Sequence, residues 1–92
     1  MYCAIVDESA FIAGTFAKTH FRLAEVAVMA EKQGRGLGRF MINMIKSECA
    51  KRGIRKITLR TSKDETAYQF YQKIGGRVVG IKGNDYEVEI PV

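Results

Sequence analysis

The stretch EKQGRGLGRF, Glu31 to Phe40, sets glycine at alternate positions, Gly34, Gly36 and Gly38, among basic side chains and directly before an apolar run with helical spacing. Glycine loosens a helix and adds no side-chain packing, so its repetition here implies that backbone is being exposed for contact. A glycine-rich turn that opens a helix is an anion site. The first helical N–H groups have no partner inside the helix, and the helix dipole puts partial positive charge at that end. Lys32, Arg35 and Arg39 add whole charges. The spacing excludes two familiar phosphate loops. A G-x-G-x-x-G reading puts its last glycine on Met41 or Arg39, and no Gly-Lys pair followed by Ser or Thr comes after these glycines.

Upstream, apolar residues crowd into Tyr2 to Asp7 and again into Phe11 to Phe16, with the polar DES between them as the turn of an antiparallel hairpin. A third strand fits FRLAEVAVM, Phe21 to Met29. Its alternation slips at Ala24 and Glu25, since Phe21 and Leu23 are odd-numbered while Val26 and Val28 are even. Such a slip marks a β-bulge or a strand buried on both faces.

Downstream, Leu37, Phe40, Met41, Met44 and Ile45 recur at helical spacing until Gly53, a natural C-terminal stop. A strand follows over Ile54 to Arg60. Ser62 and Glu65 match a capping box that opens a second helix, with Ala67, Phe70, Tyr71 and Ile74 on one face and Gly75-Gly76 at its end. The tail forms a hairpin across Lys82 to Asp85, and Pro91 falls where a strand should stop. The expected order is β-β-β-α-β-α-β-β, an α+β fold with a mixed, mostly antiparallel sheet and helices packed on it.

Composition agrees with one globular domain over residues 1–92, since 47% of the chain is hydrophobic and 27% charged. So short a chain buries one core and gains from a second subunit, which makes a homodimer the expectation. Apolar runs fall far short of a membrane span and the N-terminus lacks a secretory pattern, so the expected compartment is the cytoplasm. Cys3, Cys49 and His20 lack metal-ligand spacing, and no metal is expected. A net charge of +5 favours an anionic partner. Nucleic acid is set aside: KRGIRK, Lys51 to Lys56, is basic, but it sits at a helix end, where such residues are ordinary, and no ribonucleoprotein-type aromatic motif accompanies it.

Taken together, Gln33, Gly36 and Gly38 read as Q-x-x-G-x-G behind a strand carrying Val26 to Val28, and Ala67, Phe70, Tyr71 and Gly75 read as A-x-x-F-Y-x-x-x-G. In this pair of motifs the sequence resembles the GNAT N-acetyltransferase family. The likeness runs from about Met1 to Ile90, and the family's first strand and the helices that wall its acceptor cleft have no counterpart. Asp64 stands where the family often has Asn, and Gly76 where Phe usually follows the glycine.

The resemblance implies acetyl-coenzyme A as cofactor and a primary amine as acceptor. It implies a cofactor site built from Val26, Ala27 and Val28 on the third strand, Gln33, Gly34, Arg35, Gly36, Leu37, Gly38 and Arg39 in the turn, and Asp64 and Tyr71. It also implies that the third strand and the strand Ile54 to Arg60 splay apart around the cofactor, and that Tyr71 protonates the departing thiolate. Glu25, an acid within an apolar strand, is the candidate general base. The competing expectation is a module of the same fold that holds acyl-coenzyme A or a protein partner without turnover.

Overall fold

The computed structural model describes residues 2–6, 8–63 and 66–92. Strands β1 (Tyr2–Val6), β2 (Ala10–Phe16) and β3 (Phe21–Val28) precede helix α1 (Leu37–Lys51). Strand β4 (Lys56–Ser62), helix α2 (Thr66–Lys73) and strands β5 (Arg77–Lys82) and β6 (Asp85–Pro91) complete the chain, in the expected element order. The strands form one sheet in the order β1-β2-β3-β4-β6-β5. β3 and β4 run parallel and every other neighbouring pair is antiparallel.

Alternation along the strands sends one set of side chains into a shared core. Ile12, Phe21, Ile57, Val88 and Ile90 from the sheet meet Met41, Ile42, Ile45 and Cys49 of α1, all fully buried. Tyr71 of α2 joins the same cluster, so both helices cover one face of the sheet. The other face carries Ile5, Thr15, Arg22, Glu25 and Arg60, all exposed.

Two departures from regular structure position the site. Ala13 pairs with Glu25 while Gly14 pairs with Leu23, which leaves Ala24 as the extra residue of a β-bulge. The bulge keeps Leu23 and Val26 both on the helix side, and it turns Arg22 and Glu25 to the other. The second departure is at β4, which β3 meets only at Phe21↔Ile57 and Arg22↔Thr58. Beyond Arg22, β3 therefore has a strand on one edge only, and the other edge is free.

Both helices end in the same way. Gly53 takes φ 72°, Ile54 N–H donates to Cys49 O at 2.8 Å, and Gly53 N–H donates to Ala50 O at 3.2 Å, a Schellman closure. Because that closure uses Ile54, β4 begins at Lys56 rather than at Ile54. At the end of α2, Gly75 has φ 96° and Gly76 N–H donates to Tyr71 O at 2.8 Å. The capping-box partner Glu65 and the hairpin residue Asp7 lie outside the described residues.

Candidate functional site

The turn between β3 and α1 is held in place from behind. A short 3-10 turn, Ala30–Lys32, leads out of the strand, and Gln33 Nε2 donates to Val28 O at 3.1 Å. The backbone N–H of Gln33 is engaged with Ala30 O at 3.3 Å, so this residue braces the turn instead of offering its own amide. From Gly34 to Arg39 the amides donate to no backbone acceptor among the described residues, and helical bonding starts with Phe40 N–H to Gly36 O at 2.9 Å.

Gly34 and Gly36 have φ of 82° and 79°, the left-handed region, and a Cβ on either would meet no heavy atom within 4 Å. The backbone there is both strained for any other residue and open in front. Gly38 is glycine for a different reason. A Cβ at that position would stand 3.0 Å from the Phe70 ring, so the first turn of α1 needs glycine to pack against α2.

The turn faces a cleft of about 630 Å³ bounded by Val26 and Val28 of β3, the turn itself, the start of α1, and α2. Of the residues singled out from sequence, Val26, Val28, Gln33, Gly34, Gly36, Leu37, Gly38, Arg39 and Tyr71 border this one space. Arg35 is exposed and does not border it. Ala27 pairs with Phe11 on the other face of the sheet. Asp64 lies outside the described residues. Glu25 is solvent-exposed rather than enclosed in an apolar strand, because the bulge turns it away from the core.

The cleft also takes in Thr66, Lys73 and Lys32, together with Ala67, Phe70 and Ile74. The helical periodicity of Ala67, Phe70 and Ile74 marks them as one face of α2, but periodicity does not separate a core wall from a cleft wall. Thr66 and Lys73 carried no signal beyond their places at the ends of that helix.

Tyr71 is fixed from several sides. Its ring stands edge-on to Phe70 with centroids 5.3 Å apart, and burial pushes its phenol above the ordinary value of 10.0. A Cβ at Gly76 would come within 2.7 Å of Tyr71 O and 3.0 Å of a Val88 methyl. The chain leaving α2 thus runs too close to the helix end for a phenylalanine in that place. Burial raises the Cys49 thiol as well, and Cys49 sits in the core away from the cleft.

A turn with free amides, open space before left-handed glycines, basic residues at the rim and a one-sided strand edge fits an extended anionic molecule carrying an arm that pairs like a strand. The family model of the acetyltransferase (GNAT) domain matches residues 1–88. The chain belongs to this family.

Solved structures agree in fold. The PaiA N-acetyltransferase from Thermoplasma acidophilum, in complex with coenzyme A, superposes with a TM-score of 0.85 at 21% identity, covering 91% of this chain and 54% of that one. An acetyltransferase from Bacillus cereus gives 0.86 at 20% identity, covering 99% and 72%. The Escherichia coli ribosomal-protein-S18-alanine N-acetyltransferase gives 0.80 at 22% identity, covering 91% and 61%. The chain thus spans little more than half the length of the Thermoplasma structure. No curated protein matches the chain in sequence. Among the described residues no helix is long and apolar enough to cross a membrane, and no group of His, Cys, Asp and Glu is arranged to hold a metal ion.

Proposed function

We propose that this chain is an acyl-coenzyme A-dependent N-acyltransferase, which moves an acetyl group from acetyl-coenzyme A to a primary amine by direct attack. The observation that carries the proposal is the turn of unpartnered amides, Gly34 to Arg39, opening onto the same cleft as Tyr71. Acetyl-coenzyme A supplies the acetyl group already activated as a thioester. The free amides and the positive end of α1 bind its diphosphate, and Arg39, Lys32 and Lys73 add charge around them. Asp64 and Arg35 belong to the proposed set on the resemblance alone.

The free edge of β3 offers backbone groups of Val26 and Val28 to the pantetheine arm, as an added strand would, while Ala27 between them pairs with Phe11 of β2. A strand N–H near Val28 polarises the carbonyl under attack. Tyr71 donates its phenolic proton to the departing sulfur, and its burial keeps that proton in place at neutral pH. Glu25 stands on the opposite face just past the bulge and accepts the acceptor's ammonium proton, directly or through water.

The proposal includes a cytoplasmic homodimer. Ile5 is 76% and Met29 50% exposed beside Phe11 and Ala27, an apolar group that a second chain would cover. Sedimentation showing only monomer at high protein concentration contradicts that part.

Calorimetry with acetyl-coenzyme A, followed by thiol release over a broad amine panel, tests the whole. Tight binding with thiol release supports it. Binding without release from any amine contradicts the transferase and leaves a carrier module.

A further inference from the structure

On the face of the sheet away from the helices, a second cleft of about 720 Å³ opens where β3 leaves β4, bordered by Thr15, His20, Arg22, Thr58, Arg60 and Glu87. It lies behind the point at which the free edge of β3 begins. Polar and apolar side chains share its walls, unlike the apolar group around Ile5, and Glu89 borders it as well, so two arginines and two glutamates line it.

Arg60 is the register partner of Glu87, and Thr58 that of Glu89, so alternation puts both β6 carboxylates on the same face as the arginines. Neither acid forms an ion pair with them among the described residues. Glu89 is drawn to Lys56, with Nζ to Oε2 at 3.3 Å. Glu87 leans the other way, over Gly80 of β5, where its Oε1 lies 2.8 Å from the place a Cβ would occupy. The missing side chain at Gly80 makes the room. β5 and β4 flank β6 on opposite sides, so this lean carries the carboxylate away from Arg60. Arg22 and Arg60 form no hydrogen bond or ion pair among the described residues.

Guanidinium groups left without an ion pair on neighbouring strands of one cleft match a carboxylate, whose planar oxygens they bind in parallel. We infer that the acceptor amine carries a carboxylate, and that Arg22 and Arg60 hold it in this cleft. The inference rests on the acyl-transfer reading above and names its acceptor class. Arg22 sits at the paired base of β3 and β4 and Arg60 two residues beyond it, both well short of Val28, near which the carbonyl under attack is proposed to lie. The carboxylate therefore belongs at the far end of a flexible chain and not beside the reacting nitrogen. Thr15 and Thr58 supply further hydrogen bonds at the carboxylate end.

The test compares ε-aminocaproate with n-hexylamine, matched in chain and differing in the carboxylate, by equilibrium dialysis against the full chain loaded with coenzyme A. Wild type should retain ε-aminocaproate roughly tenfold more tightly. Arg22→Gln with Arg60→Gln should abolish the difference and leave coenzyme A affinity, read by calorimetry, unchanged. Both side chains are exposed, so folding is spared. Equal retention of the two amines by a wild-type protein that binds coenzyme A overturns this inference alone, as does a preference that survives in the double variant. Failure of wild type to bind coenzyme A overturns the acyl-transfer reading, and the acceptor class with it.

Discussion

Gly36 and Gly38 look equivalent in the sequence and differ in the fold. At Gly36 the backbone is left-handed with open space ahead, so Gly36→Val costs roughly 1–2 kcal/mol of backbone strain and fills the space proposed for the diphosphate. Calorimetry should register a large loss of coenzyme A affinity. At Gly38 a methyl group presses on the Phe70 ring, so Gly38→Ala should act first on stability, through the packing of α1 against α2. Tyr71 is the other deciding residue. Tyr71→Phe should slow turnover by about 100-fold, the low end for general acid catalysis, with coenzyme A affinity nearly intact. Full activity in that variant would move the proton donor elsewhere. The open turn with exposed backbone was legible because glycine between basic residues at a helix start has few other uses. The second role of Gly38, and the bracing by Gln33, depend on residues distant in sequence or on side-chain direction, and neither shows in a local pattern.

Among the elements, β3 is the most informative, because its irregularity creates the site. The slip between Phe21-Leu23 and Val26-Val28 was readable as an interruption of period two, and register assigns the extra residue to Ala24. What the alternation did not disclose was the consequence for Glu25. An acid inside an apolar run reads as buried, yet the bulge delivers it to the exposed face. Glu25→Gln should therefore leave stability nearly unchanged, and it should lower turnover at neutral pH if this carboxylate takes the acceptor proton. Unaltered rates would hand that role to water. The start of β4 was displaced by a local cause, the use of Ile54 to close α1. Gly53→Ala tests that closure directly: placing a side chain at φ 72° should lower unfolding free energy by about 1 kcal/mol in denaturant titrations.

The molecule as a whole has one core and two unlike faces. Ile45 lies at full burial between α1 and the sheet, so Ile45→Ala should cost about 2–5 kcal/mol, a large share of the stability of so small a domain. Burial raises both Tyr71 and Cys49, whose ordinary values are 10.0 and 9.0. Groups raised in the folded state hold their protons more tightly there than in the unfolded chain. Their stabilisation is complete below the ordinary values and is lost as pH rises through the raised ones. Denaturation midpoints should be flat from neutral to mildly alkaline pH and then fall, and Tyr71→Phe with Cys49→Ala should flatten that fall.

The most direct test follows the backbone amides of Gly34 to Arg39 by nuclear magnetic resonance while coenzyme A is added. These amides should shift most and become slow to exchange, since the diphosphate gives them acceptors they otherwise lack. If coenzyme A perturbs other residues and leaves this turn unmoved, the diphosphate lies elsewhere and the proposed site is wrong.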